Sequence, residues 1–340
     1  MPIRFYVLLD NGQILPFLFD RSETVSENRI TLEKPISLDI ESSDGQIVCL
    51  SVDVERSRLF TTSTNLPANW VAIHELNLDG SLIRRGELKE TPSAGVTACG
   101  SLGAVSNINS GIFLWHPNQP LLIPLAPQNI RGIDEIPRPG LWWPEQGILF
   151  LPNSKSDLVV YDVGAGVPHV LSLRKFEIEP YRGGDDQHLG VVSIHLHLDK
   201  LTIAWSSTSP ISGPDPKFES IVRQYHALKF VELMRKGKSL KEAKQNKSDF
   251  PEVSIHEQIS TVLFHPPITA DDPEELFVTG FPNGQFRRYI KETPDPGNPP
   301  RPRPPIWKLA DNLKLKDYLS SLDPPITTEY ARFLHLIPNA

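Results

Sequence analysis

Apolar, strand-like runs return along this chain at a near-constant interval. They begin at Phe5-Tyr6-Val7-Leu8-Leu9, Val48-Cys49-Leu50, Val96-Thr97-Ala98-Cys99, Leu141-Trp142-Trp143, Val191-Val192-Ser193-Ile194 and Ile259-Ser260-Thr261-Val262-Leu263-Phe264. Start to start they lie 43, 48, 45, 50 and 68 residues apart. A repeat of ~40–50 residues is the length of one four-stranded propeller blade. Four gaps fit it, and the fifth calls for an insertion. The spacing predicts an all-β β-propeller of six blades, with five or seven as the alternatives. It leaves function open, because propellers serve both as enzymes and as inert platforms.

Turn chemistry supports the strands. Asp10-Asn11-Gly12, Asp44-Gly45, Asp79-Gly80 and Asn283-Gly284 each separate two apolar runs, and such pairs accept the positive φ of a tight hairpin. The second unit predicts strands at Ile47–Val52, Leu59–Thr64, Trp70–Leu76 and Ser81–Leu88. The fourth predicts Leu141–Trp143, Ile148–Leu151, Asp157–Val163 and His169–Leu173.

Two regions depart from this rhythm. From Phe218, apolar residues at Ile221, Val222, Tyr225, Leu228, Val231 and Met234 fall at helical spacing, and Ser239-Leu240-Lys241-Glu242 has the form of a capping box. About Lys217 to Asp249 therefore reads as a helical insertion. Asp295 to Pro305 is proline-dense and reads as an extended linker. Beyond it, Trp307–Leu322 and Thr327–Leu336 read as short amphipathic helices. The expected organisation is a propeller over 1–294, a linker over 295–305 and a helical tail over 306–340.

Apolar residues at 39% and charged residues at 22% supply a core and exclude global disorder. A net charge of −7 gives no electrostatic reason to seek nucleic acid or anionic membrane. Cys49 and Cys99, 50 residues apart in two first strands, read as buried thiols. The first apolar run is too short for a signal peptide, and Pro124 breaks the run around Leu121 to Ala126. The expectation is a cytoplasmic protein without membrane insertion.

His195-Leu196-His197-Leu198-Asp199 has the first three ligands of a metallo-β-lactamase zinc pattern. Lys200 stands where that pattern continues, and plain strand alternation also produces the string. Gly183-Gly184-Asp185-Asp186-Gln187-His188 gathers two carboxylates and an imidazole, fewer ligands than calcium takes. Asp10, Asp39 and Asp53 sit at strand ends, where propeller hydrolases place carboxylates and ordinary turns do too. Nucleophile-elbow, phosphate-loop and dinucleotide motifs are missing from the sequence.

In the fourth unit, Gly140-Leu141-Trp142-Trp143, Ile148-Leu149-Phe150-Leu151 and Asp157-Leu158-Val159-Val160-Tyr161-Asp162 resemble a blade of the gluconolactonase-like, calcium-dependent lactonases, within the broad WD40-like and gluconolactonase-like group of propellers. The resemblance spans about one blade and implies the propeller fold. The family's calcium-binding glutamate has no counterpart around Arg138-Pro139-Gly140, and the Trp-Asp and Gly-His signatures of WD40 repeats are missing.

The reading that follows is a non-enzymatic protein–protein interaction platform or assembly subunit, with other protein subunits as partners and with no cofactor, catalytic set or metal site. Trp142, Trp143, Tyr225, Leu228, Arg301, Arg303 and Trp307 are its candidate contact residues: exposed aromatics suit interface centres, and the Pro-x-x-Pro spacing around Arg301 and Arg303 suits SH3-type grooves. The alternative is a propeller enzyme of lactonase or hydrolase type with a metal at its central channel, drawing on Asp185, Asp186, His188, His195 and His197.

Overall fold

The computed structural model of the chain describes residues 2–9, 12–21, 29–53, 57–65, 70–88, 97–99, 104–107, 111–114, 123–124, 141–143, 145–152, 158–162, 174–177, 182–183, 187–197, 199–207, 218–236, 253–267, 272–280, 285–292, 306–314, 319–320, 325 and 331–337. Two compact units are present, 1–177 with 333–340, and 178–332.

The first unit opens with β1 (Ile3–Leu9), β2 (Ile14–Phe19) and β3 (Ile30–Leu32), then β4 (Gln46–Asp53), β5 (Arg58–Asn65), β6 (Trp70–Asn77) and β7 (Leu82–Leu88). Shorter strands follow: β8 (Thr97–Cys99), β9 (Ala104–Asn107), β10 (Gly111–Leu114), β11 (Ile123–Pro124), β12 (Leu141–Trp143), β13 (Ile148–Pro152), β14 (Leu158–Asp162) and β15 (Arg174–Glu177). The second unit holds β16 (Arg182–Gly183), β17 (Gln187–His197), β18 (Lys200–Ser207), β19 (Ser220–His226), helix α1 (Ala227–Arg235) and β20 (Val253–Ile255). It continues with β21 (Ile259–His265), β22 (Glu275–Gly280), β23 (Gln285–Glu292) and β24 (Ile306–Lys314). Last comes β25 (Ala331–Ile337), which pairs beside β1.

The sheets run β25-β1-β2-β3, β4-β5-β6-β7, β11-β10-β9-β8, β12-β13-β14-β15, β16-β17-β18-β19-β20 and β21-β22-β23-β24. Successive strands pair antiparallel, the meander of a propeller blade. The fold is all-β and of β-propeller type.

Among the described residues four packed blades are present where six were expected. Packed faces are described for the sheets containing β1, β4, β17 and β21. In the β8–β11 sheet only the backbone pairing is described, on strands two to four residues long. The β12–β15 sheet contributes buried Trp143, Ile148 and Phe150.

The packed sheets follow from their sequences. β1 is buried on both faces from Phe5 to Leu9, as an unbroken apolar strand requires, and Phe5 stacks on its register partner Phe17 at 5.1 Å. Turn glycines take positive φ where Asp-Gly and Asn-Gly pairs predict it: Gly12 at 79°, Gly45 at 85° and Gly80 at 89°. Gly80 has a second reason to lack a side chain, since a Cβ there would overlap the Ser37 carbonyl oxygen.

Two helical expectations are corrected. The insertion expected over 217–249 begins as strand β19, paired with β18 from Ser206↔Ser220 to Lys200↔His226. Within that span, only Ala227–Arg235 is helical among the described residues. The apolar spacing served both structures, and the edge of β18 decided for a strand. The chain turns into α1 where Asp199 supplies acceptors: its carbonyl takes the Ala227 amide at 2.8 Å, and its carboxylate caps the Leu228 amide at 2.8 Å. The tail expected as helices over 306–340 gives β24, the fourth strand of the last meander, and β25, while Leu319 and Ser320 between them are helical. Leu309 and Leu313, read at helical spacing, pair with Tyr289 and Phe286. The capping box at Ser239 and the linker at 295–305 lie outside the described residues.

Candidate functional site

In the β4–β7 sheet, register places Thr61, His74 and Arg85 on successive rungs, Thr61↔His74 and His74↔Arg85, so their side chains share a face. Asp44 reaches them from the 3-10 turn Ser42–Asp44. Its carboxylate lies 2.6 Å from His74 Nε2 and accepts Arg85 Nε and Nη2 at 2.8–3.1 Å. On the other side of the ring, Thr61 Oγ1 is 3.2 Å from His74 Nδ1.

Burial pushes the Asp44 carboxyl up, but hydrogen bonds from Arg85 and His74 outweigh it and hold the group below its ordinary value. Burial lowers His74, only partly offset by Asp44. A neutral ring fits both neighbours: Nε2–H donates to Asp44, and Nδ1 accepts the Thr61 hydroxyl proton.

The carboxylate–imidazole–hydroxyl order is that of a nucleophile triad. Yet Asp44, His74 and Thr61 are all buried, and a nucleophile must meet its substrate. What this cluster does is tie the turn before β4 to β6 and β7.

That tie shapes a cavity. The 36–47 segment is held at three further points: Ile36 and Ile14 exchange backbone bonds at 2.7 and 3.1 Å, the Asp39 amide donates to the Gly80 carbonyl at 2.9 Å, and Gly45 closes the turn onto Ser42. Leu38, Ile40 and Ile47 pack against the core around Tyr6, Leu50 and Leu76. Between this segment and the Gly12-Gln13 turn lies a cavity of about 360 Å³, lined by the apolar Leu38, Ile40 and Ile47 and the polar Gln13, Glu41 and Gln46 among others.

In the second unit, Arg288 on β23 binds Glu275 on β22 through Nε at 2.9 Å and through Nη2, and Asp311 on β24 through Nη1 at 3.1 Å. All three are buried. Arg288 faces Asp311 across one rung and Glu275 on the diagonal.

Next to this sheet, the outward amides of β21 find side chains of the preceding sheet. The Val262 amide donates to Ser193 Oγ at 3.1 Å, Phe264 to His195 Nδ1 at 3.0 Å, and Ile259 to Ser206 Oγ at 3.3 Å. This closes the edge of β21.

The His195–Asp199 string is thereby divided among three tasks. His195 accepts a backbone amide. His197 lies 6.4 Å from the Phe264 ring, and burial and then Lys200 lower its pKa. Asp199 caps α1. Among the described residues no three His, Cys, Asp or Glu side chains are grouped to hold a metal. Asp185 and Asp186 lie outside the described residues, as does Asp10; the side chains of His188 and Asp53 are likewise not described, and Asp39 is exposed.

Of the expected contact residues, Trp143 is buried, and Tyr225 is half-buried against Phe230 at 5.8 Å. Trp307 is half-buried and packs against the core cluster that includes Phe264 and Tyr289. Leu228 is 49% exposed on α1. Arg301 and Arg303 lie outside the described residues, as does the Trp142 side chain.

Sequence reasoning missed the exposed apolar residues of two last strands: Leu82 and Ile83 on β7, and Ile306 and Leu309 on β24. The available signal was apolar residues continuing into the fourth strand of a meander. Both strands carry an irregularity of register, between Glu75 and Leu76 opposite β7 and between Arg288 and Tyr289 opposite β24, and a bulge re-aims side chains.

No protein-family model matches this sequence, and no curated protein is similar to it. Among solved structures, it is similar to the Cps50 (Swd1) β-propeller domain of Myceliophthora thermophila, at 10% identity and a TM-score of 0.44, covering 82% of this chain and 74% of that one. The C-terminal WD40 domain of Sif2 aligns at 13% identity and a TM-score of 0.39, covering 85% and 78%. Drosophila Semaphorin 2a aligns at 9% identity and a TM-score of 0.47, covering 99% and 74%. No helix among the described residues is long and apolar enough to cross a membrane.

Proposed function

We propose that this chain is a non-enzymatic interaction platform, an assembly subunit that docks other proteins on the outer strands of its blades. One observation carries the reading: β24, the last strand of its sheet, presents Ile306 and Leu309 to solvent at 57% and 46% exposure. A terminal strand offers backbone donors and acceptors to an incoming chain, and apolar side chains beside them add burial on docking. Leu228 on α1 and the pair Leu82 and Ile83 on β7 extend the same surface chemistry. Trp142, Tyr225, Arg301, Arg303 and Trp307 are further contact candidates. The acidic, cysteine-poor composition suits a cytoplasmic protein partner better than a nucleic acid.

The test is the native size of the tagged chain in an extract of its own cells. Wild-type chain is expected in an assembly larger than itself, and the double variant Ile306→Glu/Leu309→Glu is expected to leave that assembly with its melting temperature unchanged. A wild-type chain that runs as a monomer, or a double variant that stays in the assembly, overturns the reading.

A further inference from the structure

We propose that the cavity between the 36–47 segment and the Gly12-Gln13 turn is a socket for an arginine side chain of a partner polypeptide. Its volume, about 360 Å³, is near the lower end for ligand pockets, which suits one long side chain. Its lining carries both kinds of partner that such a side chain needs. Leu38, Ile40 and Ile47 form an apolar wall seated on the core. Glu41 and Gln46 belong to the same lining, and they offer one carboxylate and one amide oxygen as acceptors.

The Glu41 carboxylate accepts Ser43 Oγ at 3.0 Å and meets no cation among the described residues. An anionic occupant would be repelled by it. A wholly apolar occupant would strip water from these acceptors without replacing the lost bonds. Arginine answers both halves: its methylene stem covers apolar surface, and its planar head carries five donors that suit a carboxylate with further acceptors nearby. The chain's charge of −7 favours the encounter with a cationic segment.

The socket is also pre-shaped. Asp44, three residues beyond Glu41, is fixed by His74 and Arg85. Ile36 is paired to Ile14, and Asp39 is pinned to Gly80. A wall held at both ends loses little freedom on binding, which favours even a small ligand. The buried Asp44–His74–Thr61 cluster thereby has a task that its inaccessibility allows.

The inference stands on the first unit alone and is independent of docking on β24. Methyl NMR spectra of Leu38, Ile40 and Ile47 in the full-length chain are followed during titration with N-acetyl-arginine amide, N-acetyl-lysine amide and N-acetyl-norleucine amide. Arginine amide is expected to give saturable shifts at these three residues, lysine amide weaker ones and norleucine amide none. Glu41→Gln, at an exposed position, is expected to weaken arginine binding about five-fold, the scale of one solvent-facing ion pair, and Gln46→Glu to strengthen it. Ile306→Glu/Leu309→Glu is expected to bind as wild type. Equal shifts with norleucine amide, no shift with arginine amide, or an affinity indifferent to Glu41→Gln and Gln46→Glu would overturn the proposal.

Discussion

The β4–β7 sheet and the β21–β24 sheet each bury a carboxylate against an arginine, but they build the pair from different parts of the chain. In the second, Glu275, Arg288 and Asp311 all belong to strands of one meander. The cluster is internal to the sheet and fastens three strands together. In the first, Asp44 comes from a turn outside the sheet, 30 residues before His74 and 41 before Arg85. That cluster fastens a loop to a sheet. Solvent access differs accordingly: Arg288 is buried, whereas the Arg85 side chain keeps 30% of its surface exposed. A sheet-internal ion cluster serves stability alone, while a loop-anchoring one also sets the shape of whatever the loop borders.

The largest expected effect follows from the sealed cluster. Glu275→Ala takes one of its two carboxylate partners, Glu275 and Asp311, from the buried Arg288 guanidinium, and removing one member of such a pair costs about 3–5 kcal/mol. Urea denaturation of the variant checks this. A loss near 1 kcal/mol would mean that water reaches Arg288, and the contrast with the first sheet would disappear.

Asp44→Ala is expected to cost less, about 1–3 kcal/mol, because Arg85 can turn to solvent and only the His74 Nε2–H and the turn lose their partner. Its distinguishing readout is local. The 36–47 wall should loosen, so that hydrogen exchange of the Gly45 and Asp39 amides rises while the amides of β22 and β23 keep their protection. Uniform loss of protection in both units would show that Asp44 supports general stability rather than the loop.

The sequence showed the blades more readily than the clusters. Blades are written in local signals, apolar runs and Asp-Gly turns at fixed intervals, and strands β4 to β7 fall within about a residue of expectation. The tail and insertion were misread because apolar spacing in Ile221–Val231 and Leu309–Leu322 fits a helix as well as a strand; the choice lay with the unpaired edges of β18 and β23, which no local window contains. Clusters need register. Thr61, His74 and Arg85 lie 13 and 11 residues apart and become neighbours only once the hairpins are aligned. Asp44 looked like a turn residue, which it is, with its side chain turned inward.

The smallest expected effect is a pH dependence that belongs to the first sheet. Burial lowers the His74 pKa from its ordinary 6.5, so the folded protein holds the ring neutral while an unfolded chain takes up a proton below that value. The stabilisation from the neutral ring is complete above pH 6.5 and declines as pH falls from there toward the lowered folded value, with a slope below about 1.4 kcal/mol per pH unit for a single group. Asp44, itself held below its ordinary 3.8, stays ionised through this window and adds its own loss only in stronger acid. Arg85, raised by its bond to Asp44, is charged throughout. The decisive quantity is the difference between wild type and His74→Gln, which keeps an amide donor for Asp44 but cannot titrate. Urea denaturation at pH 7.5 and 5.5 is expected to show a smaller decline for the variant than for wild type. Equal declines would mean that His74 protonates in the folded state as easily as in the unfolded one, and the neutral ring drawn between Asp44 and Thr61 would be wrong.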